Sequence, residues 1–120
     1  MSTIPEPSGL IEVRVDPTTD VVETVQNQLR TLNIKNAAVV SIVGTITSCR
    51  LINKPRNRVK SDIYTDLVEE MDLSGNGEVR DGKALLRVIL SGETGKMYTG
   101  TLHSAKSKLS TVSVYVLPMH

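Results

Sequence analysis

Only one stretch of this 120-residue chain carries a helical period, and the other patterned segments alternate or run apolar as strands do. That confines the fold to a sheet with a single main helix against it. The helical stripe is Val22, Val25, Leu29 and Leu32, spaced by three and four, with Glu23, Gln26, Gln28 and Arg30 on the wet side. Asp16-Pro17-Thr18-Thr19-Asp20 supplies a turn and capping side chains, Glu23 stands where a capping box places its acid, and Asn33 is the expected stop. Residues 10–15 alternate, with Ile11, Val13 and Val15 on one face. Residues 36–43 form a nearly continuous apolar run closed by Gly44, and residues 45–52 continue as a β-rich segment. Residues 64–73, 84–91, 97–103 and 109–117 give four more strands, the last with Val112, Val114 and Val116 on one face. Because strands and helices do not alternate, the reading is α+β with a largely antiparallel sheet.

The length suits one domain with one core. That core lacks Phe and Trp and must be built from Val, Leu, Ile, Ala and Met, of which the β-branched members favour strands. Residues 1–9, polar and with two prolines, read as a loose tail, and residues 10–120 as the domain. With 14 basic and 13 acidic side chains the formal charge is +1, so there is no global drive towards nucleic acid or anionic membrane, and any such binding must be local. Cys49 is the single cysteine and reads as a buried, inert thiol in a protein kept reduced. No apolar run approaches membrane-spanning length and no basic leader precedes one, so the expected location is the cytoplasm.

The chemistry concentrates between residues 72 and 103. Alternation in residues 84–91 puts Ala84, Leu86, Val88 and Leu90 on a fully apolar face and Leu85, Arg87, Ile89 and Ser91 on the other. In the next strand Thr99, Thr101 and His103 share a face. A guanidinium on a partly apolar face can grip a carboxylate or phosphate in a bidentate fork. The structural alternative is an ion pair of Arg87 with Glu78, Asp81 or a neighbouring subunit's acid. A second feature is RLINKPRNRVK over residues 50–60, five basic residues without an acid, in which Lys54, Arg56, Arg58 and Lys60 are candidate phosphate or partner contacts. Its plainer reading is a solvated loop balanced by Asp62, Asp66, Glu69 and Glu70. No nucleophile elbow, phosphate-cradling loop or metal-binding helix motif is present.

The segment DLSGNGEVRDGKALLRVILSGETGKMYTGTL, residues 72–102, resembles the plant and prokaryote conserved (PPC) domain. Leu73-Ser74-Gly75, Gly82-Lys83, Leu90-Ser91, Gly95-Lys96 and Gly100-Thr101-Leu102 fall in step with its pattern. The resemblance implies a homotrimer and a site near the subunit boundary that in bacterial members can hold a metal on histidines. Those histidine positions read Leu85, Arg87 and Thr101 here, a set that donates nothing suitable to a cation and favours an anion, so no metal and no other cofactor is expected. Plant members bind DNA through an AT-hook with an Arg-Gly-Arg-Pro core outside the domain, which Lys54-Pro55-Arg56 does not match. DNA binding therefore follows from the resemblance alone. The expectation is a non-enzymatic trimeric module, regulatory and DNA-binding or binding a small anion through Arg87, Thr101, His103 and Glu78. The alternative is an enzyme acting on a small anionic substrate at the subunit interface, with His103 as proton carrier and Arg87 as clamp.

Overall fold

A computed structural model describes residues 9–53 and 61–119. Eight strands and one helix follow the order β1 (Ile11–Val15), α1 (Val21–Thr31), β2 (Ala37–Ile46), β3 (Ser48–Asn53), β4 (Ile63–Leu67), β5 (Met71–Arg80), β6 (Lys83–Gly92), β7 (Met97–Lys106) and β8 (Val112–Pro118). All strands join one antiparallel sheet in the order β1-β8-β2-β5-β6-β7-β3-β4. The α+β architecture expected from the pattern is the one observed. No described helix is long and apolar enough to cross a membrane.

Thr47 alone separates β2 from β3, yet β5, β6 and β7 lie between those two strands in the sheet. The sheet must therefore curl until the end of β2 meets the start of β3, and the Thr47 amide closes the gap by donating to the Lys106 carbonyl at 2.9 Å. Inside the curl lie Val13, Val15, Ile42, Ile46, Leu51, Met71, Leu86, Leu90 and Val114, all nearly inaccessible, and α1 packs over them against β1, β6 and β7. Val, Leu and Ile side chains make up most of this interior, joined by Met71 and Cys49. Among the described residues nothing covers the sheet's other face.

Helix α1 starts where its chemistry dictates. Asp20 caps it, one carboxylate oxygen accepting from the Glu23 amide at 2.8 Å while the other accepts from the Ala105 amide of β7, also at 2.8 Å. At the far end Asn33 adopts a left-handed conformation with φ 58°. The amides of Asn33 and Ile34 donate back to the Arg30 and Leu29 carbonyls, which satisfies the last turn. The buried stripe is Val21, Val25 and Leu29. It is rotated from the expected Val22, Val25, Leu29 and Leu32, and Leu32 is a partly exposed cap residue, because the helix contacts the sheet through its first turn.

Three strand assignments are corrected. Gly44 does not close β2 but lies inside it, opposite Leu73, and the break comes at Thr47. A bulge at Val40 and Ser41 changes the phase of β2, so Val39 and Ile42 both face the core; this explains why residues 36–43 read as an unbroken apolar run. Residues 64–73, read as one strand, are divided between β4 at the sheet edge and β5 at its centre. Finally β8 starts at Val112 rather than residue 109, since Leu109 is 90% exposed.

Candidate functional site

The hairpin that carries the site is set by its turn. Asp81 and Gly82 have φ of 50° and 81°, the left-handed pair that a two-residue hairpin loop requires, and they hold β5 against β6 in register from Met71↔Gly92 to Arg80↔Lys83. That register puts Asn76 directly opposite Arg87, and the pairing of β6 with β7 puts Thr101 opposite Arg87 on its other side. Ile52 of β3 continues the row opposite Thr101. Ser74, Ile89 and Thr99 form the neighbouring row. Directly opposed residues share a face in an antiparallel sheet, so these side chains stand together on the uncovered side.

The two rows enclose a shallow depression of about 580 Å³, lined by Asn53, Asn76, Arg87, Thr99 and Thr101 together with Ile52 and Ile89 and the backbone around Gly75 and Gly100. Arg87 is the one charged residue among the described residues that line it. No Asp or Glu among the described residues forms an ion pair with Arg87. The structural alternative raised from the sequence is not what Glu78 does, since its carboxylate accepts from Arg80 Nε at 3.0 Å.

Of the four candidate ligand contacts, the structure brings Arg87 and Thr101 side by side. Glu78 lies two pairs further along β5, opposite Leu85, and is not among the residues lining the depression. His103 also lies outside it, on β7 beside a bulge, edge-on to Tyr64 with ring centroids 5.8 Å apart and an interplanar angle of 81°. Asn76 and Asn53 were not picked out from the sequence. The run Ser74-Gly75-Asn76-Gly77 has the composition of a turn, and only the pairing of β5 shows that Asn76 is a strand residue aimed at the site.

A second polar cluster occupies the β3–β4 ribbon. Arg50 forms a two-pronged pair with Asp66, Nε to Oδ1 at 2.7 Å and Nη2 to Oδ2 at 3.1 Å, and its guanidinium carbon lies 5.8 Å from the Tyr64 ring centroid. The hydrogen bonds from Arg50 hold the Asp66 carboxyl below its ordinary range, with smaller help from the charges of Arg50 and His103. The first cation of the basic segment is thus committed to the acidic strand that follows it. Lys54, Arg56, Arg58 and Lys60 lie outside the described residues, as does nearly all of the expected tail at residues 1–9. Cys49 is buried beneath the ribbon, where desolvation, aided by the charge of Asp66, pushes its thiol up to about 11.

The residues at the positions where the family resemblance expects histidines do not fit a metal. Leu85 has no donor, Arg87 is a cation and Thr101 is a weak ligand, and no three His, Cys, Asp or Glu side chains gather among the described residues.

Known proteins share this architecture. The chain superposes on a metal-containing protein from Archaeoglobus fulgidus with a TM-score of 0.79 at 26% identity, covering 98% of this chain and 85% of that one. A PPC protein from Pyrococcus horikoshii gives 0.78 at 20% identity, over 100% and 87% of the two chains. A candidate DNA-binding protein from Bacteroides thetaiotaomicron gives 0.80 at 15% identity, over 98% and 81%. No curated protein matches the sequence. The family model of the Plants and Prokaryotes Conserved (PCC) domain matches residues 6–120, and with the sheet and helix described above this makes the chain a member of the PPC domain family.

Proposed function

We propose that the protein is a non-catalytic PPC module that assembles as a homotrimer and binds a small anion at Arg87. The observation that carries this reading is a guanidinium without a carboxylate partner among the described residues, flanked by Asn76 and Thr101 in a depression on the uncovered sheet face. A charge left in that state favours an anionic ligand. Binding is preferred to catalysis because, among the described residues, no His, Cys, Asp, Glu, Lys or Tyr lines the depression, so none of the described lining side chains exchanges a proton near neutral pH. The solved relatives described as candidate DNA-binding proteins are less than 25% identical and share the fold only, and the described lining residues offer a single cation to a polyanion.

Assembly is supported by the uncovered sheet face itself. Leu85, Ile89, Val43 and Tyr64 on that face are each between 42% and 55% exposed, so several large apolar side chains share the uncovered surface. Closed symmetry would cover it.

The test is anion titration by calorimetry on the full chain and on Arg87→Leu, with light scattering to follow assembly. Saturable one-site binding in the wild type that weakens roughly tenfold or more in the variant, with folding and assembly intact, is the expected outcome. A variant that melts early or falls apart while binding anions as before would instead mean that Arg87 serves a structural ion pair.

A further inference from the structure

We infer that the ligand at Arg87 is a small monocarboxylate with an apolar arm rather than a phosphate, an inference that rests on the anion-binding reading above. Three features of the depression lead to it.

The first is charge. Arg87 contributes one positive charge, and among the described residues no second cation lines the depression. A phosphate near neutral pH carries between one and two negative charges and is ordinarily met by several cations, a helix N-terminus or a nest of backbone amides. The nearest helix does not supply the missing field, since the N-terminus of α1 is already occupied by the Asp20 carboxylate and faces β7 through Ala105. A monocarboxylate matches the single guanidinium charge for charge.

The second is the arrangement of donors. Guanidinium and carboxylate are both planar and pair through two parallel hydrogen bonds, which leaves the carboxylate's outer lone pairs to be satisfied from either side. Asn76 and Thr101 stand directly opposite Arg87, one on each neighbouring strand, so an amide and a hydroxyl flank the fork within one row of the sheet. Cross-strand neighbours lie about 5 Å apart at Cβ, a spacing that lets all three side chains meet one small group. These donors match a flat two-oxygen group better than a tetrahedral one.

The third is the wall. Ile89 lies two residues along β6 from Arg87 on the same face, and Ile52 bounds the other side beyond Thr101. Ile89 is 43% exposed, so part of its side chain is available to a ligand. An aliphatic arm attached to the carboxylate would lie over these side chains, and a depression of about 580 Å³ has room for it. A bare inorganic ion would leave that apolar surface wet.

The inference is tested by calorimetry on the full chain in low salt with acetate, butyrate and inorganic phosphate as probes. Butyrate is expected to bind at least about threefold more tightly than acetate, since its extra methylenes are partly buried, and more tightly than phosphate. Arg87→Leu should weaken butyrate roughly tenfold or more. Arg87→Lys, which keeps the charge and loses the fork, should weaken butyrate while leaving phosphate little changed. Thr101→Val, a near-isosteric change, should weaken butyrate without altering the thermal melt, and this keeps the test open should the Arg87 variants fold poorly. Arg14→Leu, on the exposed side of β1, is the control for general charge and should change nothing.

Phosphate binding more tightly than butyrate in an Arg87-dependent way would overturn the carboxylate assignment while leaving the anion site standing. Equal affinity for acetate and butyrate would overturn the role of the apolar wall. No saturable binding of any probe, or equal losses in Arg87→Leu and Arg14→Leu, would overturn both readings.

Discussion

At the scale of single residues, the same side chain type does opposite work at two places on one sheet face. Arg50 and Arg87 both stand on the uncovered side, but Arg50 is neutralised by Asp66 whereas no acid among the described residues pairs with Arg87. Both members of the Arg50–Asp66 pair are about half exposed, with side-chain accessibilities of 47% and 61%, so the pair is screened by water and adds little to stability. Its consequence is electrostatic and local. The folded-state titration point of Asp66 lies below its ordinary value, so the carboxylate's small contribution is complete above the ordinary carboxylate range and is lost as pH falls through the lowered value. Arg50→Gln should move the Asp66 titration upwards towards that ordinary range, a change readable in carboxyl carbon shifts by NMR across an acid titration. An unchanged midpoint in the variant would mean that Arg50 is not its cause. The melting temperature near neutral pH should scarcely move.

At the scale of elements, β5 shows what the sequence reveals and what it hides. The alternation of β6 was legible because Leu86, Val88 and Leu90 are large and buried and Leu85, Arg87 and Ile89 are exposed, so two faces could be separated by counting. By contrast Gly75, Asn76 and Gly77 are poor strand formers, and local propensity places a turn where the structure places the middle of a central strand. Close approach of the backbones requires that composition. A Cβ on Gly75 would collide with the Arg87 carbonyl oxygen, and one on Gly77 with the Leu85 carbonyl oxygen. Neither obstacle is a side-chain tip that can swing away. Gly75→Ala should therefore push β5 from β6 and cost about 1–3 kcal/mol, as overpacking does. Urea unfolding measures the loss, and the variant should also weaken anion binding because Asn76 is displaced from Arg87. A midpoint within about 0.5 kcal/mol of the wild type would contradict the close packing of these strands. The strand breaks were hidden for a related reason, since Thr47 and the bulge at Val40 take their places from the curl of the sheet, which no local pattern encodes.

At the scale of the whole molecule, the decisive asymmetry is between the two faces of the curled sheet. The concave face is dry and complete within one chain, capped by α1 and anchored through Asp20 to β7 and through Gln26, whose side-chain oxygen accepts from the Ala84 amide of β6 at 2.9 Å. The other face is left uncovered by the described residues. Leu85 is 42% exposed there, two residues from Arg87 on the same strand, so assembly and ligand binding are expected to draw on adjacent surface. Leu85→Glu probes this directly, because a carboxylate at a half-exposed position meets water in a single chain and should leave the fold intact. In a closed trimer the same change would place three carboxylates against apolar surface, each costing several kcal/mol unless protonated or paired. If the proposed trimer forms, the expected outcome is a folded monomer by sedimentation at micromolar concentration, with circular dichroism like that of the wild type, whereas Glu78→Gln, on the neighbouring strand but already engaged with Arg80, should sediment as the wild type does. If the wild type itself sediments as a monomer, or if Leu85→Glu remains trimeric, the uncovered face is not the surface through which the subunits meet.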